Sequence, residues 1–400
     1  MFVDLITEPF AYVDPWLAHP LEARLTQLRR GRPRIAWLYE QPDTSTFRYR
    51  CLNPATTLAD ARPDVGAAWF SGAEIPALMR EVATLDVLVI CRFRYDAAVA
   101  RLIMRARAAG VRVLFDCDDL VFETRHVHLL LDTLDQDTAN PACWDSWFAV
   151  IGRLGCTASL CSGGIATNGF LAARMARAFN WSHVGILPNY LNVGQEAVSR
   201  ELLAKKRARG FRGDGRVTIG YFSGTPTHNK DFAVAVNGIS SVMQADPGVD
   251  LLAVGFLDSM GPLARFGERV KRIPLQDYLN LQHMIAKVEL NIAPLQDNEF
   301  TNCKSELKFF EAAAVGTWTL ATPTYTFSSA IEDGVTGRLV QVGTWKDALT
   351  EAVALARDPG RYARAAEATA ASAYARYGWD KFADTILSAV GLPGERRSAA

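Results

Sequence analysis

Nowhere in these 400 residues does an apolar run approach the roughly 18 to 20 residues that a membrane-crossing helix requires. The first ten residues, MFVDLITEPF, also lack a cationic stretch leading into an apolar one, so no secretory leader is expected there. The expectation is a soluble protein of the cytoplasm. Net charge is missing as well: 43 Lys and Arg balance 43 Asp and Glu, which removes the field a dedicated nucleic-acid binder relies on. No nucleic-acid partner is expected. Cysteine is sparse, odd in number at seven, and scattered through apolar stretches, which favours reduced thiols over a disulfide framework. Cys156 and Cys161 have neither a second pair nor a nearby histidine, so no zinc site is expected.

What is present is a globular composition, 49% hydrophobic, in a chain too long for one ordinary core. Apolar strands are predicted at 34–40, 86–92, 111–116 and 184–189, with a helix at 97–109 closed by Gly110. Residues 140–180 read as helical, interrupted by a short strand near 159–162 and a break at Gly163 and Gly164. The second half repeats the alternation, with strands at 217–222, 251–255, 288–295 and 318–323 and a helix at 231–246. The fold class is therefore α/β, with two doubly wound Rossmann-like domains over residues 1–190 and 213–375. Between them Lys205, Lys206, Arg207, Arg209, Arg212 and Arg216 surround three glycines, which reads as a solvated, partly helical connector. Its charge also admits peripheral contact with an anionic membrane surface, at the inner face of a membrane.

Three stretches carry chemistry. Residues 299–316 read as a loop feeding a helix, with Thr301, Asn302 and Ser305 as candidate caps. Lys304, Lys308 and Glu311 fall at i, i+4 and i+7, on one face, with Leu307, Phe310 and Ala314 packing inward. Helix-start amides beside two lysines suit an anion such as a nucleotide diphosphate, and Glu311 can accept from sugar hydroxyls. The alternative is a solvated amphipathic helix. The second stretch is SGTPTHNKDF after the strand at 217–222, where Gly224 allows close backbone approach and Lys230 can reach a phosphate. The third lies in the first half, where the loop after strand 34–40 places Ser45, Thr46, Arg48 and Arg50 at a ligand-binding edge. Against that, Arg48 and Arg50 are equally read as alternating into solvent. The strand at 111–116 ends in Asp116, Asp118 and Asp119, which fit a metal-binding loop, an aspartyl nucleophile, or a helix cap with acceptor-side binding.

Taken together, these motifs resemble the retaining glycosyltransferases of the GT-B fold, family 4 (group 1), and its relatives in bacterial surface-polysaccharide synthesis. SGTPTHNKDF resembles the family's glycine loop, KSELKFFEAAAVGTWTLATPT its donor helix, and IEDGVTGRLV the turn and strand that follow. LFDCDDLVFE and LPNYLN resemble recurring first-domain stretches. The resemblance implies two domains facing a central cleft, with a C-terminal helix at about 376–395 returning to the first. It implies a nucleotide-sugar donor held by Gly224, Thr225, Lys230, Lys304, Ser305, Lys308 and Glu311, with Lys230, Lys304 and Glu311 serving catalysis. A glycan or lipid-linked acceptor would meet Asp118, Asp119, Arg48 and Ser45, with no cofactor and no metal. Two departures stand out: Thr225 replaces the family's arginine, and Cys303 replaces the first of its paired glutamates, leaving Asp297, Asn298 or Glu299 as substitutes. They keep two other readings open, an inactive module that binds a nucleotide sugar or a partner, and an Asp-dependent phosphohydrolase.

Overall fold

The computed structural model describes residues 1–2, 5, 8–43, 45–224, 229–257 and 261–393. Two parallel six-stranded sheets organise them. The first contains β1 (Arg34–Tyr39), β2 (Gly66–Ser71), β3 (Val87–Cys91), β4 (Arg112–Cys117), β5 (Gly163–Ala166) and β6 (Val184–Ile186), in the order β2-β1-β3-β4-β5-β6. The second contains β7 (Val217–Ser223), β8 (Val249–Gly255), β9 (Val270–Ile273), β10 (Leu290–Ala293), β11 (Trp318–Ala321) and β12 (Gly337–Leu339), in the order β12-β11-β10-β7-β8-β9. The doubly wound expectation holds in both halves. Helices cover both faces, so the central strands are buried throughout and their sequences are nearly continuous apolar runs.

Local departures have physical reasons. Residues 159–162 form no strand; the strand begins at the glycines after them, and position 164 must be glycine because a Cβ there would lie 2.5 Å from the Trp181 ring. Only a bare backbone fits that gap between strand and helix. The cationic connector is helical only at its start, where the helix Val193–Ala208 carries Lys205, Lys206 and Arg207, and it is not merely solvated. Lys206 is fully buried and donates to the Gly316 carbonyl and the Thr317 hydroxyl, both at 3.1 Å. Arg207 pairs with Glu367 and Arg216 with Asp250, each at 2.6 Å. Those charges serve the protein's own carboxylates. Among the described residues, no helix is long and apolar enough to cross a membrane.

A continuous apolar cluster joins the two halves, running from Trp37 and Tyr49 through Phe309 and Phe310 to Tyr377 and Phe382. The last described helix, Ala383–Ala389, packs on β6 and on the helix Asn53–Ala61. The approach is close enough that a Cβ at Gly185 would sit 2.2 Å from the Ala389 carbonyl oxygen. Gly185→Ala should therefore push this helix off the sheet and cost about 1–3 kcal/mol by overpacking. Equilibrium denaturation would show it as a lower midpoint, and an unchanged midpoint would contradict the packing.

Candidate active site

Doubly wound sheets bind ligands outside the carboxyl ends of their strands, where the winding reverses. In the first sheet that point lies between β1 and β3; in the second it lies between β7 and β10. The loops that leave these strands meet around a cavity of about 640 Å³. From the first domain it is lined by Ser45, Arg48, Arg92, Asp118 and Asp119, and from the second by Gly224, Lys304, Ser305, Lys308 and Glu311.

The helix under the second wall runs from Leu307 to Ala314, three residues after Lys304. Lys308 and Glu311 share its face, while Lys304 belongs to the preceding turn. None of the expected caps serves it. Thr301 instead accepts from the Asn298 amide at 3.1 Å in the capping box of the short helix Glu299–Asn302, Asn302 accepts from the Tyr325 amide at 2.8 Å, and Ser305 accepts from Asn189 at 3.0 Å. The solvated alternative fails because the helix is buried along most of its length.

Glu311 is 3% exposed, and a buried carboxylate needs donors. It obtains three from sequence far away: Arg48 at 3.2 Å, Gln195 at 3.1 Å and the Tyr49 hydroxyl all reach its Oε1. Arg48 and Tyr49 come from the π-helical turn Arg48–Leu52 of the first domain, so this carboxylate ties the domains together. Arg48 therefore does not alternate into solvent. Neither does Arg50, which is fully buried and holds both oxygens of Asp116 at 2.7 and 2.8 Å. Asp116 has no exposure, so an aspartyl nucleophile at this position has no access to substrate.

Arg92, unremarked in the sequence, is the organising cation of the first wall. It follows β3 with φ of 40°, a left-handed conformation that costs a non-glycine residue energy and clusters at functional sites. Its guanidinium donates to Asp118 at 2.8 Å and to Asp119 at 3.4 Å. Burial pushes the Asp118 carboxyl up, but Arg92, Arg50 and Thr46 outweigh it and hold the group below the usual carboxylate range. The signal available in sequence is an arginine at the carboxyl end of a central strand.

The lysines divide. Lys304 lies 3.9 Å from Asp119 across the cleft. Lys308 has a buried ammonium with no hydrogen-bond partner among the described residues, 4.8 Å from the centre of the Tyr221 ring. Burial lowers it to about 8, with Asp231 and Glu311 pulling up and Lys304 pushing down. Lys230 stands outside the cavity lining; it pairs with Asp132 at 2.8 Å and lies 3.8 Å from Asp135. Gly224 borders the cavity, and a Cβ there would meet nothing within 4 Å. Thr225 lies outside the described residues.

The substitutes for the absent glutamate are otherwise engaged. Glu299 pairs with Arg174 at 2.7 Å, Asp297 accepts from Asn302 at 3.1 Å, and Asn298 is a cap. Cys303 is fully buried in an apolar cluster of the first domain, and burial pushes its thiol up to about 12. A carboxylate would be desolvated there, which accounts for the thiol.

Residues 216–358 match the family described as glycosyl transferases group 1. The D-inositol 3-phosphate glycosyltransferase of Mycobacterium leprae is 32% identical over 138 residues, 34% of this chain. That match spans 30% of the curated relative's length. In fold, the chain is similar to HepE of Anabaena solved with UDP-glucose, with a TM-score of 0.57, 13% identity, and coverage of 88% of this chain and 98% of that one. Sucrose-phosphate synthase of Thermosynechococcus elongatus gives a TM-score of 0.56 at 14% identity, covering 88% of this chain and 96% of that one.

Two outcomes follow from the site's charges. Glu311→Ala leaves Arg48 buried without its carboxylate and should cost about 3–5 kcal/mol in denaturant unfolding, whereas a solvated glutamate would cost almost nothing. Lys308 loses its proton near pH 8 in the folded protein but near 10.4 when unfolded. Between those values the unfolded chain binds more protons, so this group makes stability rise with pH. Lys308→Met should remove that rise relative to the parent, measured by unfolding at pH 7, 8, 9 and 10.

Proposed function

We propose that this chain, similar in sequence to group 1 glycosyltransferases and in fold to GT-B enzymes, transfers a sugar from a nucleotide-sugar donor to a hydroxyl of an acceptor. The observation that carries the reading is the buried ammonium of Lys308, which has no hydrogen-bond partner among the described residues, beside Lys304 on the cavity wall built by the matched segment. A buried cation without a partner is costly, and an anion in the cavity removes that cost. The donor diphosphate supplies such an anion.

In this reading the diphosphate lies along Lys304 and Lys308, with its nucleoside toward the end of β7 at Gly224. When the bond from the anomeric carbon to the diphosphate oxygen breaks, the leaving group gains charge, and preorganised ammonium groups stabilise it more than the ground state. These lysines take the part that the family gives to its arginine, so no metal is required. The acceptor oxygen forms the new bond from the side the diphosphate leaves, with retention, and its proton passes to the departing diphosphate. Lys230 joins the clamp by exchanging Asp132 for phosphate; its pair is partly exposed, and such pairs are worth about 0–1 kcal/mol. Glu311 holds Arg48 and Tyr49 in place, and a donor hydroxyl that reaches it shares the carboxylate with them. The acceptor would be a glycan or lipid-linked saccharide of surface-polysaccharide synthesis.

Calorimetry with UDP, GDP and dTDP, followed by turnover with the matching nucleotide sugars, tests this. One nucleotide should bind, and Lys308→Ala should weaken it roughly ten- to a hundredfold, the worth of a charge-assisted hydrogen bond. Lys230→Ala should weaken it by less. Tight binding without sugar release would favour the inactive module, and unchanged affinity in Lys308→Ala would overturn the assignment.

A further inference from the structure

The two walls of the cavity carry opposite charge. The first-domain wall contributes Asp43, Asp118 and Asp119 against Arg92, while Arg48 is neutralised by Glu311. The second-domain wall contributes Lys304 and Lys308. The walls meet at Asp119, which lies between a cation of each, 3.4 Å from Arg92 and 3.9 Å from Lys304. The same cavity is lined by Trp147, half-buried, its indole nitrogen donating to Gln136 at 3.3 Å, and by Val121 and Leu134 of the apolar cluster it packs against. An aromatic ring flanked by aliphatic side chains offers the apolar face of a sugar ring a place to lie, while the carboxylates accept from its hydroxyls.

We propose that the acceptor is a saccharide bearing no phosphate or carboxylate near its reacting hydroxyl, seated against Trp147, and that the acidic wall is what rejects anionic acceptors. This rests on the donor reading above, because it needs the lysine wall to be occupied by diphosphate. A phosphate on the acceptor would lie beside half-buried carboxylates, where salt screens less than at an open surface, and its natural counterions, Lys304 and Lys308, would already be taken. An uncharged or amino-bearing sugar meets no such repulsion. The curated Mycobacterium leprae relative is named for a phosphorylated acceptor, so the two chains would differ in this feature.

The test uses matched pairs, glucose with glucose 6-phosphate and myo-inositol with myo-inositol 1-phosphate, observed by saturation-transfer NMR on the full chain with UDP in excess. The uncharged member should bind at least tenfold more tightly than its phosphate. Trp147→Ala should abolish saturation of the sugar's ring protons. The combined Asp118→Asn and Asp119→Asn variant should narrow the preference to about threefold or less while leaving UDP affinity undiminished. Preference for the phosphorylated member, binding of neither, or indifference to Trp147→Ala would overturn the proposal. Failure of the donor reading shows separately, as absence of nucleotide binding in calorimetry.

Discussion

A carboxylate removed from water must find donors, and Glu311 finds all of those described here in residues outside its own domain's sheet. Much of the site follows from that one requirement. The pairing holds the π-helical turn carrying Arg48 and Tyr49 against the helix Leu307–Ala314 where the two domains meet. Phe310 then stacks on Tyr377 with ring centres 4.7 Å apart, and Tyr49 meets its edge at 6.1 Å. Lys308, on the same helix, is buried beside Tyr221 with Asp231, Lys304 and Glu311 as its charged neighbours, and that burial within its own domain makes its ammonium unusually acidic.

The fold is legible in sequence where burial is complete. Strands covered on both faces need only be apolar, so β1, β3, β4, β7, β8 and β10 announce themselves as runs of branched and aromatic residues. β9 does not, because this edge strand carries exposed Lys271 and Arg272, and β2 opens on Gly-Ala-Ala. β5 is concealed by glycines whose purpose is the proximity of Trp181, a fact of packing that no local pattern encodes. In the site, the spacing of Lys308 and Glu311 gives their shared face correctly. What they meet on that face is decided by Arg48, Gln195 and Tyr221, which are brought there by topology and not by periodicity.

The doubly wound arrangement also explains why two walls of opposite charge confront each other. Each sheet directs the carboxyl ends of its central strands toward the cleft, and each loop there is free to carry whichever charge its own domain tolerates. The first domain holds its acids in place with Arg92 and Arg50, both positioned by strand ends and the adjoining turn. The second holds its lysines against Tyr221 and Phe300. Neither domain alone forms the site.

The close contact between Gly185 and Ala389 bears on how the molecule is assembled during synthesis. β6 is the edge of the first sheet, and the helix that covers it follows the entire second domain along the chain. Chains emerge from the ribosome amino end first, so the first domain waits with that edge open while the second is made. The second sheet, whose strands all lie between Val217 and Leu339, can form during that interval. The first domain is thus the later one to be completed, and docking of Ala383–Ala389 is the step that finishes it.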